Sequence, residues 1–248
     1  MVTKKVVLIN GSPRKGTTLK YLREIEELLN REGITTDLIS CADCEITYCT
    51  GCEQCIRKTS WCVYRDDATH ILTEVLEADG LVFGSPVYVG TVTGKMKSLI
   101  DKTASWLHRP PAVGMPVLPV VTTAGSGEKR TLDYLKETVM YWGAHPLEGI
   151  VRTASKSGPI RASELAPFIR HLHLSKQRYK PTLRQIMLFQ VQKVLALKVA
   201  RIDREFWEEK GWDKMDYYYP CRISLTKRML GRFLFGLLFR RINPAHPF

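Results

Sequence analysis

Apolar residues fall along this chain in short, almost unbroken runs that alternate with longer stretches repeating every three or four positions. Residues 5–10 are nearly all apolar and rich in β-branched side chains, then stop at Gly11-Ser12-Pro13, which predicts a strand buried on both faces. Residues 17–32 place Leu19, Leu22, Ile25, Leu28 and Leu29 on one helical face and close on Gly33. The same reading predicts strands over 35–40, 81–84, 116–122 and 147–151, and helices over 67–76, 94–107 and 131–142.

Five strands alternating with four helices predict an α/β fold: a doubly wound, five-stranded parallel sheet joined by right-handed crossovers, with helices on both faces. Ligands of such sheets sit beyond the carboxyl ends of the strands. The unusual loops of this chain all fall on that edge.

Beyond residue 154 the pattern changes. Residues 155–159 read as a linker, 183–207 as an amphipathic helix and 224–242 as a last helix, so the chain divides into residues 1–154 and a basic, mostly helical extension over 155–248. Charge follows the same division. Residues 1–155 carry 18 Lys and Arg against 18 Asp and Glu, whereas residues 156–248 carry 19 against 7, which accounts for the whole net charge of +12. A neutral first part suits a small ligand, and a basic second part suits an anionic surface or partner. The apolar stretch 229–239 is too short for the ~20 residues a membrane span requires. It is compatible with a peripheral membrane contact through 224–242, or with packing against this chain or a partner. The extension shows no recognised nucleic-acid-binding module, and its arginines flank an apolar core instead of interleaving with stacking aromatics. With no secretory signal pattern at the start, the chain is expected in the cytoplasm, at most peripheral at the inner membrane surface.

The first loop, Gly11-Ser12-Pro13-Arg14-Lys15-Gly16-Thr17-Thr18, joins a strand to a helix start. Its hydroxyls and amides make a phosphate cradle. A nucleoside-triphosphate loop would need Lys where Thr17 stands, and a dinucleotide fingerprint would need Gly where Pro13 stands. A single phosphate monoester is the ligand that remains, with Arg14 supplying charge and Ser12, Thr17 and Thr18 supplying donors.

Together with Gly84-Ser85-Pro86-Val87-Tyr88 and the Gly94-Lys95-Met96-Lys97-x-x-Ile100-Asp101 stretch, this loop resembles the NADPH-dependent FMN reductases and iron-sulfur flavoproteins of the flavodoxin-like superfamily, over roughly residues 4–152. The resemblance implies FMN as cofactor. Ser12, Arg14, Thr17 and Thr18 match the family's phosphate loop, except that Thr17 stands where Asn is usual. Pro86, Val87, Tyr88, Val89 and Gly90 match the loop along the isoalloxazine ring, and Thr123, Ala124 and Gly125 the third wall. No catalytic side chain is implied, because the cofactors carry the chemistry.

Six of the seven cysteines, Cys41, Cys44, Cys49, Cys52, Cys55 and Cys62, crowd into residues 41–62. Such crowding in a chain of this kind reads as ligation instead of disulfide stapling. The run Cys49-x2-Cys52-x2-Cys55-x6-Cys62 offers four soft ligands and favours a 4Fe-4S cluster, as in the iron-sulfur branch of the family. Zinc, which usually takes two separated Cys-x2-Cys knuckles, and a metal-free thiol patch remain open. Cys41 and Cys44 fall outside the pattern.

The expected function is an FMN-dependent oxidoreductase that passes electrons between NAD(P)H or a reduced protein donor such as ferredoxin, FMN and the cluster, and the resemblance implies a homo-oligomer, most simply a dimer. The alternatives are a cluster-free FMN or quinone reductase, and a non-catalytic redox-sensing module that docks through its basic tail.

Overall fold

The computed structural model describes residues 3–242. In chain order the elements are β1 (Lys5–Asn10), α1 (Thr17–Arg31), β2 (Thr35–Ser40), α2 (Asp67–Glu77), β3 (Gly80–Pro86), α3 (Gly94–Asp101), β4 (Pro116–Thr123), α4 (Glu128–Tyr141), β5 (His145–Pro146) and β6 (Ile150–Thr153), followed by α5 (Ala162–Leu172), α6 (Leu183–Lys198), α7 (Arg201–Glu209) and α8 (Leu225–Arg241). The strands run parallel in the order β2-β1-β3-β4-β5, with β6 also paired to β4. This is the flavodoxin-like order, in which the crossover direction reverses between β1 and β3 and opens a crevice at their carboxyl ends.

Alternation along the strands divides the core. Val7, Ile9, Leu81, Phe83, Val117 and Val121 pack with α2, α3 and α4 on one face. Val6, Leu8, Val82, Leu118 and Val120 pack with α1 and α5 on the other. Helix α5 was not anticipated from the sequence; Phe168 and Leu172 cover Gly80, where an added Cβ would meet Leu172 Cδ2 at 2.5 Å.

Three elements differ from expectation. The fifth strand is two short pairings, 145–146 and 150–153, because the intervening Gly149 turns at φ +89° where a Cβ would lie 2.9 Å from the Pro119 carbonyl oxygen. The helix expected over 94–107 ends at Asp101, and Ala104–Leu107 form a separate 3-10 turn. The helix expected over 183–207 breaks at Ala200, which is extended (φ −131°, ψ 137°). This break aims Asp203 and Trp207, both fully buried, back at the sheet domain.

The extension is seated on that domain by polar contacts as well as by its own aromatic core of Phe189, Trp207, Trp212, Tyr217 and Tyr218. The Gln192 amide donates to the carbonyls of Leu107 (2.8 Å) and Tyr141 (2.9 Å), and Trp207 Nε1 donates to the carbonyl of His108 (2.7 Å).

Candidate functional site

Two sheet-edge loops are locked together at the crevice. Gly11 N–H donates to the Gly84 carbonyl (2.8 Å), and Thr93, which caps α3 by accepting from Met96 N–H (3.1 Å), donates its hydroxyl to the Gly11 carbonyl. The approach leaves no room for a side chain at position 11, where a Cβ would lie 2.3 Å from Met96 Cε. Asn10 fixes the loop start by accepting from Ser12 N–H (3.2 Å) while its amide donates to Ser40 Oγ (2.9 Å).

Helix α1 begins without a capping side chain at Gly16 and without an acidic residue in its first turn. Its orphan N–H groups and dipole therefore favour an anion. Lys15 is engaged by Asp43 (2.8 Å), whereas Arg14, exposed beside the crevice, makes no ion pair among the described residues. Thr18 is tied across the sheet edge to Thr122 by a 2.7 Å hydroxyl contact.

These groups border a cavity of about 370 Å³. Ser12, Arg14, Thr17 and Thr18 line one side, Pro86, Val87 and Tyr88 a second, and Thr123 and Ala124 a third. Val89 and Gly90 lie outside this lining at the tip of their loop, and the Gly125 N–H donates to Thr123 Oγ1 (3.2 Å), bracing the third wall from behind. A fourth wall, Arg152 to Ala154 with Ser157, went unrecognised in the sequence. Arg152 is held by Glu164 (2.8 Å) and by the Gly158 and Pro159 carbonyls, and Tyr21 donates to the Ser157 carbonyl (2.8 Å). The available signal was a lone arginine at the carboxyl end of the last strand.

The loop tip is strained. Tyr88 and Thr91 exchange backbone hydrogen bonds (2.8 and 3.1 Å) around Val89 at φ +49° and Gly90 at φ +77°. A tight turn with two left-handed residues suits glycine or asparagine, and a β-branched residue there is costly. Val89 is nonetheless wholly exposed, so nothing buried explains it.

The second candidate site lies in the loop after β2. Cys49, Cys52, Cys55 and Cys62 all line one cavity of about 160 Å³, together with Lys102 and Asp101. Among the described residues no three His, Cys, Asp or Glu side chains are gathered tightly enough to hold a single ion. Burial pushes the Cys55 thiol up, and the neighbouring Cys62, Cys49 and Cys52 push it in the same direction. Lys102, almost fully buried, pairs with Asp66 (2.8 Å) and reaches Cys62 Sγ at 4.0 Å. Cys41 and Cys44 stand apart from this cavity: Cys41 belongs to the core, its thiol pushed up to about 12 by burial, and Cys44 donates to the Ser40 carbonyl (3.3 Å).

The backbone of the cysteine loop is held from beneath. Cys55–Thr59 form a π-turn, and Arg109 donates to the carbonyls of Cys55 (2.7 Å) and Ile56 (2.9 Å) and to Ser60 Oγ (3.0 Å). Its remaining guanidinium nitrogen pairs with Asp203 of α7, which also meets His108 Nδ1 (2.9 Å).

Residues 4–158 match the NADPH-dependent FMN reductase family. The chain belongs to that family. It is 33% identical over 220 residues to an iron-sulfur flavoprotein of Archaeoglobus fulgidus, covering 84% of this chain and 99% of the relative. It is 27% identical over 228 residues to an iron-sulfur flavoprotein of Clostridioides difficile, covering 83% and 98%. Among solved structures, an NADH:FMN oxidoreductase in its apo form superposes with a TM-score of 0.51 at 22% identity, covering 68% of this chain and 88% of that one. RosB superposes at 0.50 and 15% identity over 90% of this chain and 92% of its own, which shows a shared fold. This FMN reductase family member is thus a flavin-dependent oxidoreductase.

Proposed function

We propose that this flavin-dependent oxidoreductase is an iron-sulfur flavoprotein, with FMN in the crevice at the sheet edge and a 4Fe-4S cluster on Cys49, Cys52, Cys55 and Cys62. The observation that carries the reading is the convergence of those four thiols, and no other cysteine, on one cavity. In a cuboidal cluster each thiolate takes a separate iron, which suits four sulfurs spread around a cavity better than one four-coordinate ion does. Two relatives of nearly the full length carry the name iron-sulfur flavoprotein.

In this reading the uncapped start of α1, with Arg14, Ser12 and Thr17, holds the phosphate of FMN, and Thr18 keeps that helix end in register with β4 through Thr122. Tyr88 and the 86–88 backbone would border the ring, and Arg152, Thr153, Ala154 and Ser157 would close the remaining wall of the cavity. Lys102, held by Asp66, reaches Cys62 Sγ at 4.0 Å and would help to position that ligand. When bound, the two groups supply the exchange between two-electron and one-electron transfer. Electrons would enter from NAD(P)H or from a reduced protein such as a ferredoxin.

The test is ligand replacement. Cys55→Ala and Cys62→Ala should lose most of the iron and keep the flavin, whereas Cys44→Ala should keep both. Iron retained in Cys55→Ala and Cys62→Ala would contradict the ligand set, and flavin present with no iron in the unsubstituted protein would reduce the chain to a cluster-free reductase.

A further inference from the structure

Helix α8 carries apolar residues on two faces. One face packs against α6: Gly231 lies so close that an added Cβ would be 2.9 Å from Ile186 Cγ2, and Lys193 and Lys198 of α6 lie over the rings of Phe235 (5.2 Å) and Phe239 (4.0 Å). At about 100° per residue, the arc opposite Gly231 holds Leu225, Met229, Phe233, Leu237 and Leu230. Leu225, Met229 and Phe233 are 73%, 70% and 71% exposed. A helix with apolar residues on both its packed and its outer face is built to be covered twice.

Charge identifies the second cover. Helix α8 contains Lys227, Arg228, Arg232, Arg240 and Arg241 and no acidic residue. On the same wheel Arg232 and Arg241 flank the exposed apolar arc on opposite sides; Arg232 is held by Asp216 (2.9 Å), whereas Arg241 and, within the arc, Arg240 stand exposed at the carboxyl end, where long cationic side chains can reach headgroups while the arc is immersed. Pairing with a second copy through this face would bury Arg240, which lies within the arc, against a helix that carries no acidic residue to pair with it. The surrounding extension adds to the attraction for an anionic surface, with 19 basic against 7 acidic residues over 156–248. No helix among the described residues is long and apolar enough to cross a membrane.

We propose that the outer face of α8 docks this protein on an anionic lipid bilayer, lying in the plane of the interface. The inference does not depend on the flavin or the cluster. The test is sedimentation of the full-length protein with vesicles of phosphatidylcholine alone and of phosphatidylcholine with phosphatidylglycerol. Binding is expected to the anionic vesicles, to weaken with salt, and to fall about tenfold or more in Phe233→Ser and in Met229→Ser, whose side chains are exposed and leave the fold intact. Arg240→Gln with Arg241→Gln should weaken it by about thirtyfold, at roughly 1 kcal/mol per charge. No binding to anionic vesicles, or equal binding to neutral ones, would overturn the proposal. So would a stable dimer in solution that Phe233→Ser converts to monomer, since a second copy would then be the cover.

Discussion

Asp203 on α7 and Arg109 after α3 form an ion pair in which both side chains are almost fully withdrawn from water. The rest of the Arg109 guanidinium donates to the carbonyls of Cys55 and Ile56, so the basic extension holds the backbone of the cysteine loop through one arginine. Removing one partner of a buried pair leaves the other charge uncompensated and costs about 3–5 kcal/mol. Asp203→Asn is therefore expected to lower the unfolding midpoint and to reduce iron content more than flavin content. Replacing both, as Asp203→Leu with Arg109→Met, should recover much of the stability but not the iron, because the two carbonyls stay without their donor. Recovery of iron in the double variant would show that the loop does not need that donor.

Arg14 is the cation at the proposed phosphate position. Arg14→Ala should remove a charge-assisted hydrogen bond worth about 1.5–3 kcal/mol, which raises the FMN dissociation constant about tenfold to a hundredfold. Arg14→Lys should recover part of it. Flavin fluorescence quenching on reconstitution reads the change, and an unchanged constant in Arg14→Ala would move the phosphate elsewhere.

Val89 offers a test of backbone strain. Its left-handed conformation at φ +49° costs on the order of 1–3 kcal/mol for a β-branched residue, partly offset in a glycine variant by the entropy of the unfolded chain. Val89→Gly is expected to raise the stability of the flavin-free protein by about 1 kcal/mol in urea unfolding. A loss of stability would mean that the exposed Val89 side chain makes a contribution that offsets the strain.

His145 sets a pH dependence. Burial against Tyr179 and Tyr219 lowers its pKa to about 3, with His171 and Lys176 pushing the same way. The unfolded chain takes up this proton as pH falls through about 6.5, and the folded protein does not until about 3. Stability is therefore complete above 6.5 and falls on acidification by up to about 1.4 kcal/mol per pH unit within that window. Urea midpoints at pH 7 and pH 5 should differ in the parent protein and converge in His145→Gln.

The central strands were legible because β1, β3 and β4 are buried on both faces and so read as unbroken apolar runs. Helix α5 was not, since Pro167 interrupts its pattern and only Leu165, Phe168 and Leu172 of it are buried. The break at Ala200 carries no glycine or proline, and its cause is tertiary: Asp203 and Trp207 find partners at His108 and Arg109 that no local pattern reveals. In the crevice, the first loop was readable from turn chemistry and the 86–90 and 123–125 walls only through the family resemblance, and most of these residues line one cavity. Arg152 and Ser157 were missed because the wall they build depends on how the chain returns after β6. That Cys49, Cys52, Cys55 and Cys62 crowd into one loop was readable from their spacing, but the arginine that donates to the carbonyls of that loop was not.

The most direct test of the account is the flavin and iron stoichiometry of the protein purified without oxygen. The account predicts about one FMN and about four iron atoms per chain, with flavin absorbance bands superposed on the broad visible absorbance of an iron-sulfur cluster. Flavin without iron, or zinc in place of iron, would contradict the two-cofactor reading, and a protein that takes up no FMN would contradict the crevice as its site.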